Sequence, residues 1–473
     1  MTRIVVELPS VTKKILWPQW LTGITISIAV LTAGLSNGWT SPSLAQLTSP
    51  DVKTSLKLSD SEASWVASLL NLGRFGGSIV GAISQGLIGR KKTLLSSILP
   101  LAIGWTCKII ANSVTWLYIA RCFCGIASGM IWTTLSLYLG EVSDSSIRGS
   151  LVFMNSNAAF IGAFLGNIMG AHLPLERFGY VSLSLGALFF IIFFFIPESP
   201  YHYVSRGNLE RAETSLKWFK REVDVSKDIQ ELKDFVGNTE TNLLTRLKEF
   251  KKPQNRNNVI IMGMLNVFLY GCGHNTMNYY AEIIVTKSKV NFSPSTIVIA
   301  LSLCTIVACS TAAIVVDRFG RRFLLIVSSL GTALSMTLLG LHFHLLSLNI
   351  EPTFTWLPIF SLFLYNFSIS NGLVPVPNAL VSELFPPNLK TMASLYFSGS
   401  SALMSFITAR TFQPLVNIMS EKYVFWIFAL SAFSAAPFTY IYITETKGQT
   451  LVEIQKNADK KHKINKIEVA TVM

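Results

Sequence analysis

The stretch Asp317-Arg318-Phe319-Gly320-Arg321-Arg322 separates two long apolar runs, at about residues 296–316 and 323–345. Each run has about the 20 residues that an α-helix needs to cross a hydrocarbon core about 30 Å thick. A short charged stretch between two such runs predicts a tight turn at a membrane surface, and its arginines indicate the cytoplasmic side. The first half of the chain follows a similar plan, because Gly89-Arg90-Lys91-Lys92 also separates two apolar runs.

Composition supports a membrane protein. Half of the 473 residues are hydrophobic and 14% are charged, whereas soluble domains carry about 25% charged residues. The net charge is +13, but the basic residues lie mostly between apolar runs. This distribution is typical of cytoplasmic loops facing anionic lipid and argues against a nucleic-acid partner. The six cysteines lie inside apolar runs, without disulfide or zinc-ligand spacing.

The apolar runs fall into two sets of six, which predicts an all-α membrane protein with twelve transmembrane helices in two six-helix bundles. Loop charge places both termini in the cytoplasm. The predicted divisions are a cytoplasmic N-terminus (1–19), a first bundle (20–196), a cytoplasmic linker with short helices (197–257), a second bundle (258–443) and a cytoplasmic tail (444–473).

Opposite charges recur at matching helix ends of the two halves. Glu141 precedes Arg148 by seven residues, and Glu383 precedes Lys390 by seven. Ion pairs between such ends would hold the bundles together on the inner side and break when that side opens. Alternatively, the charges only mark helix ends in water. The candidate gate residues are Arg90, Glu141, Arg148, Glu198, Asp317, Arg318, Arg321, Glu383, Lys390 and Glu445.

These motifs resemble those of the sugar porter family in the major facilitator superfamily. The resemblance covers about residues 15–455, and its compact loops and Pro386-Pro387 look most like the insect trehalose/glucose facilitators. It implies the major facilitator fold, a midplane site between two bundles and alternating access. Its motifs are Gly89-Arg90-Lys91, Arg121 with Gly125 and Gly129, Glu141 to Arg148-Gly149, Pro197-Glu198-Ser199-Pro200, Asp317–Arg322, Ser382-Glu383-Leu384-Phe385-Pro386 and Glu445-Thr446-Lys447-Gly448.

Two positions depart from the family pattern of loop charges. Gly86 stands where the family has an acid three residues before the loop glycine, and Tyr201 stands where it has a basic residue. We therefore expect a weaker latch in the first half.

Neutral polar residues in the seventh apolar run form the candidate transport site. Asn266, Asn275, Asn278 and Tyr279 share or border one helix face, and the nearby glycines allow a bend. Amides and phenols suit a solute with many hydroxyls and no charge. The alternative is that they bond neighbouring helices. Resemblance adds Ser156, where the family has a sugar-contacting glutamine, its neighbour Asn155, and Asn378, where the family has a tryptophan.

Charged residues inside the apolar runs bear on whether transport is coupled to protons. Arg121 matches a family arginine that proton-coupled relatives pair with an aspartate in the first helix. Residues 20–47 contain no Asp or Glu, so we expect facilitated diffusion (uniport). Arg74 and Arg410 have no family counterpart. Arg74 either meets an anionic solute group or has a purely structural role, in which it bonds a backbone carbonyl or packs against the partner bundle.

The leading hypothesis is a facilitative carrier for trehalose or a hexose, with the lipid bilayer and a small-molecule solute as its only implied partners. Alternatives are a carrier for another polyol or organic anion, and a non-transporting membrane sugar sensor. The short tail of about 30 residues argues against a sensor. We expect no enzymatic activity, catalytic residues, cofactor or metal, since no such constellation is present. The plasma membrane is the expected location, glycosylation at Asn291 is expected to be absent, and oligomeric state is left open.

Overall fold

The computed structural model describes residues 15–49, 56–144, 146–222, 224–237, 249–250, 252–349, 355–385, 389–443 and 445. Within these ranges the side chains of Asp317 and Lys390, among others, are not described. The expectations for residues 1–14, for the tail from 446 onward and for Pro386-Pro387 fall outside the described residues.

Six helical passes come first. The first pass bends at Trp39 and the third at Ser97, so each is formed by two helices. The helices are α1 (Trp17–Gly38), α2 (Thr40–Thr48), α3 (Asp60–Leu87), α4 (Arg90–Ser96), α5 (Ile98–Ile109), α6 (Val114–Val142), α7 (Arg148–His172) and α8 (Leu175–Phe194).

Three short helices follow, α9 (Pro200–Ser205), α10 (Leu209–Lys220) and α11 (Ser226–Gly237). They lie against the first bundle at the end that carries the Gly89 turn, which we call the inner end. Ser215 of α10 donates a hydrogen bond to the backbone oxygen of Glu198 at 2.6 Å. Arg206 donates to the carbonyl of Leu87 at 2.8 Å, where α3 ends. A basic side chain is favourable there because the C-terminal end of a helix carries partial negative charge.

Six further passes form the second bundle. The seventh pass is divided into three helices and the tenth into two. The helices are α12 (Pro253–Gly271), α13 (His274–Tyr279), α14 (Ala281–Lys287), α15 (Pro294–Phe319), α16 (Arg321–Ser347), α17 (Trp356–Asn371), α18 (Pro375–Leu384), α19 (Lys390–Met419) and α20 (Glu421–Tyr442). Nine segments among the described residues are long and apolar enough to cross a membrane. The predicted all-α architecture is confirmed.

Close helix contacts in the first bundle depend on glycine. Along α3, Gly73 and Gly77 face α6, and a Cβ atom at Gly77 would lie 2.2 Å from the carbonyl oxygen of Ile126. Gly125 and Gly129 of α6 meet the α3 backbone at 2.2 and 2.3 Å in the same way. Both pairs are spaced as GxxxG, a pattern that lets membrane helices approach backbone to backbone. Gly34 and Gly38 of α1 pack likewise against α7.

Candidate transport site and gates

The inner end of the first bundle is braced by two carboxylates. Glu198 accepts hydrogen bonds from the backbone N–H groups of Arg90 and Lys91, at 3.1 and 2.9 Å, where α4 begins. The Arg90 guanidinium pairs with Glu141 at the end of α6, at 3.0 and 3.1 Å. Gly89 has a φ of +99°, and a Cβ there would lie 2.3 Å from the Glu198 carboxylate. Glycine is therefore required at this turn for both conformation and space.

The second bundle repeats this brace. Glu445 accepts from the backbone N–H groups of Arg321 and Arg322, at 3.0 and 3.1 Å, where α16 begins. The Arg321 guanidinium lies 3.2 Å from Glu383. Gly320 has a φ of +88°, and a Cβ there would lie 2.5 Å from Glu445. The motif repeated in the sequence thus forms the same three-part arrangement twice, which we call the inner braces.

The inner braces differ from the expected pairing between bundles. Arg90 pairs with Glu141, and Arg321 with Glu383, each within its own bundle. Arg148 bonds the nearby carbonyl of Ser143 at 3.1 Å. Arg318 is exposed at the end of α15. In this conformation Arg90 and Arg321 already have acidic partners inside their own bundles, so pairing between bundles in another state stays a prediction.

Tyr201 and His202 take part in the first brace through α9. The Arg90 guanidinium lies 5.3 Å from the centre of the Tyr201 ring, which partly replaces the expected basic residue with an aromatic contact. His202 Nδ1 lies 3.3 Å from Arg90 Nη1. A guanidinium only donates, so Nδ1 accepts and the imidazole is neutral. Burial, together with the charges of Arg90, Arg206 and Lys92, lowers the pKa of His202 against the opposing effect of Glu198.

The outer ends of the bundles are joined by hydrogen bonds. Ser64 of α3 donates to the carbonyl of Arg410 in α19 at 2.8 Å. Asn167 of α7 donates to Ser302 of α15 at 2.8 Å. The backbone N–H of Glu282 in α14 donates to Ser41 of α2 at 3.0 Å. These contacts close the outer side of the space between the bundles.

Tyr279 joins the bundles nearer the midplane. Its hydroxyl lies 3.2 Å from Asn37 Oδ1 on α1 and 3.3 Å from Asn71 Oδ1 on α3. A phenol carries one hydrogen, so the two acceptors share it. The sequence prediction placed Tyr279 at the site, whereas Asn37 and Asn71 were not predicted.

Breaks in the seventh and tenth passes present polar groups at midspan. Gly273 separates α12 from α13 with a φ of +84°. Pro375 begins α18 after the break at 372–374. The Asn278 and Asn378 side chains that follow these breaks are exposed, and each bonds a carbonyl of its own helix. Exposed amides are unfavourable in lipid, so they indicate a water-accessible space between the bundles. The expected bend at the α12 glycines is observed.

The remaining candidates have varied surroundings. Asn266 is 1% exposed, and its amide bonds Phe397, Ser400 and Ser401 of α19 at 2.7 to 3.1 Å. Its expected contact with substrate is therefore replaced by packing between helices of one bundle. Asn155 is also buried, donating to Leu151 at 2.9 Å and facing α1. Asn275 donates to Ser405 at 2.5 Å and Ser156 to Val152 at 3.0 Å; both remain partly exposed.

Arg121 is fully buried among neutral acceptors. Its guanidinium donates to the carbonyls of Val66 and Ser36, both at 2.8 Å, and to the Thr40 hydroxyl at 2.5 Å. Lys108, also buried, lies 3.7 Å from the centre of the Trp105 ring and bonds Ser36 Oγ at 3.3 Å. Carbonyl dipoles and aromatic faces stabilise both cations.

The sequence was compared with known proteins. Residues 15–458 match the family model described as sugar (and other) transporter. The chain is 27% identical over 451 residues to the facilitated trehalose transporter Tret1 of Bombyx mori, covering 94% of this chain and 88% of that one. It is 27% identical to the protein of the same name in Drosophila mojavensis, covering 93% of this chain but only about half (51%) of that one.

Among solved structures, the fold is similar to the inward-open xylose transporter XylE from E. coli. The TM-score is 0.76 at 21% identity, covering 93% of this chain and 99% of XylE. A partially occluded inward-open form of XylE gives a TM-score of 0.74. At this identity the likeness shows a shared fold, a multi-pass arrangement of two helical bundles.

Proposed function

The chain belongs to the sugar (and other) transporter family, and from that membership we propose that it is a facilitative carrier for a sugar of the trehalose or hexose class. It works by alternating access, and no enzymatic step is assigned to it. The names of the insect relatives support this substrate class. We further propose that it acts in the plasma membrane with both termini in the cytoplasm.

One observation carries the mechanism. Ser310 of α15 donates to Asn157 Oδ1 of α7 at 3.4 Å in the inner half. Shorter contacts between the bundles, through Ser64, Asn167 and Tyr279, lie in the outer half, while Arg90 and Arg321 at the inner end pair with acids of their own bundle. This is the arrangement expected of a carrier open to the inside. Closing the inner end requires the Ser64 and Tyr279 contacts to open. The outer contacts and the inner braces are thus the two sets of interactions that alternate.

The residues that border the central space suit a neutral solute. We propose that Asn275, Asn278, Ser156 and Asn378 contact the sugar, because amides and hydroxyls both donate and accept. Tyr279 combines this role with closing the outer side. Asn266 and Asn155 act by positioning helices, since their amides bond neighbouring backbone or side chains.

Arg121 supports uniport. Its bonds run to two carbonyls and a hydroxyl, groups that stay neutral at any physiological pH. Protonation of an acidic partner therefore has no role in the contacts that hold Arg121. We propose that sugar moves down its own gradient without a coupled proton.

Uptake by purified protein in proteoliposomes tests the function. Radiolabelled trehalose, glucose, sorbitol and lactate are offered with and without an imposed proton gradient. We expect trehalose or glucose to equilibrate at the same final level in both conditions. Accumulation above equilibrium under the gradient would contradict uniport, and failure of every neutral sugar to enter would contradict the substrate class.

A second candidate is a carrier for an organic anion. It is favoured by Arg74, a partly exposed cation midway along α3. The environment of Arg74 is developed below.

A further inference from the structure

Arg74 lies midway along α3, between Asp60 and Leu87. Its Nε and Nη2 atoms are buried and have no hydrogen-bond partner among the described residues. This differs from the alternative expectation that Arg74 bonds a backbone carbonyl. Arg410 provides the contrast, because its guanidinium bonds Ser64 at 3.1 Å and lies 4.7 Å from the centre of the Trp65 ring.

Other unpartnered polar atoms lie close to Arg74. Asn71, one helical turn earlier and 1% exposed, has a buried Nδ2 without a partner in the described part of the chain, while its Oδ1 accepts from Tyr279. Across the gap on α13, His274 has a buried Nδ1 that also lacks one there. His274 and Tyr279 belong to the same short helix, and Tyr279 contacts Asn71. Unpartnered polar atoms from both bundles therefore lie in the same region, and His274 Nδ1 can donate there in one of its neutral tautomers.

We propose that Arg74, Asn71 and His274 form a site that binds the carboxylate of an acidic solute, such as a sugar acid. This inference rests on the second candidate function, a carrier for an organic anion, and names the class of anion. Two guanidinium N–H groups match the two oxygens of a carboxylate, and the Asn71 amide supplies a further donor.

Charge balance favours a carboxylate over other solutes. A cation at mid-depth in a membrane protein is unfavourable unless it meets an anion or water. A neutral sugar would bring hydroxyl groups to Arg74 but leave its charge uncompensated. A carboxylate balances the single charge of Arg74, whereas a phosphate dianion would leave an excess negative charge in the same space. Charge balance therefore favours a monoanion at Arg74.

Position makes the site part of the transport path. The next residue, Phe75, lies at the contact with the second bundle, where its ring is 3.5 Å from the place a Cβ of Gly399 would occupy. Asn71 and His274 stand on opposite bundles, linked through Tyr279. A solute bound here would therefore contact both bundles and influence their relative position.

Ligand-induced thermal stabilisation of the purified protein at pH 7 tests the site. The probes are D-glucuronate and D-glucose, which differ mainly by one carboxylate. We expect the wild type to bind glucuronate more tightly than glucose. Arg74→Gln should weaken glucuronate binding about tenfold to a hundredfold, the loss typical of a hydrogen bond to a charged group. The same substitution should change glucose binding by less than about threefold. Arg74→Lys should retain part of the preference.

Arg410→Gln is the matched control, since it removes another membrane arginine but should leave the preference for glucuronate intact. Melting temperatures without solute show whether each variant is folded. The proposal is overturned if the wild type shows no preference for glucuronate, or if folded Arg74→Gln and Arg74→Lys bind glucuronate as the wild type does. Proteoliposome uptake is read separately: if no solute enters, the carrier function fails, while the binding result still decides the role of Arg74.

Discussion

Removing one hydroxyl should shift the balance between the two open states. In Tyr279→Phe, the single phenolic hydrogen shared by Asn37 and Asn71 is lost. Side-chain hydrogen bonds between membrane helices contribute about 0.6 kcal/mol on average and at most about 1.7. The bond joins the bundles only while the outer side is closed. The outward-open population should therefore rise about threefold, with an upper limit of about eighteenfold.

Chemical labelling from outside measures this shift. Ser41→Cys supplies the reporter thiol, because Ser41 is 1% exposed and faces Glu282 of the other bundle. A membrane-impermeant maleimide should label this cysteine faster in Tyr279→Phe than in the parent protein, by the same factor as the population. Parent protein without the reporter corrects for labelling of the native cysteines.

A tyrosine within the second bundle provides the control. Tyr365 of α17 donates to the carbonyl of Cys272 at 3.1 Å, and both residues belong to the second bundle. Tyr365→Phe removes a hydroxyl of the same kind from a contact inside one bundle, so its labelling rate should stay at the parent value. If Tyr279→Phe labels no faster than Tyr365→Phe, the Tyr279 hydroxyl does not hold the outer side closed and the reasoning is refuted.

Three further predictions concern stability in detergent, read as melting temperature. Gly77→Ala should destabilise the first bundle by about 1–3 kcal/mol or more through overpacking. Gly76→Ala is the control, because a Cβ there meets nothing within 4 Å, and it should be neutral or slightly stabilising. Equal melting temperatures for the two variants would disprove the backbone contact at Gly77. Glu198→Gln should lower stability by about 1.5–3 kcal/mol, because three backbone N–H groups lose a charged acceptor, and an unchanged melting curve would count against the inner brace. The pKa of His202 is lowered in the folded protein, so its contribution to stability is complete above the ordinary pKa of about 6.5 and is lost as the pH falls through the lowered pKa. His202→Gln should therefore reduce the drop in melting temperature on acidification. Substitution of the exposed His172 is the control and should leave that drop unchanged.

Much of the architecture was predictable, because span length and loop charge are local properties of a sequence. The turns at Gly89 and Gly320 lie between passes, as predicted, and both glycines have a positive φ that glycine accommodates. The matching positions of Glu141 and Glu383 also predicted that the two halves contain the same charged arrangement. The partners of these acids were not predictable, since whether Arg90 meets an acid of its own bundle or of the other depends on conformation.

The site was harder to predict for a geometric reason. Helical spacing placed Asn275, Asn278 and Tyr279 near one face, but Gly273 breaks the pass, so Asn266 lies on a different helix axis. Asn266 packs against α19, whereas Asn278 is exposed. Asn71 stands three residues before Arg74, and a search for polar pairs at that spacing would have found it.

The glycine contacts give the two bundles different mechanical properties. In the first bundle, Gly77 and Gly125 meet carbonyl oxygens of the facing helix, which cannot yield as a side chain does. In the second, Gly271 and Gly331 meet serine side chains, and its seventh pass contains a residue, Gly273, with a positive φ. During a transport cycle we expect the first bundle to turn as a stiff block, with the deformation concentrated at the hinges of the second.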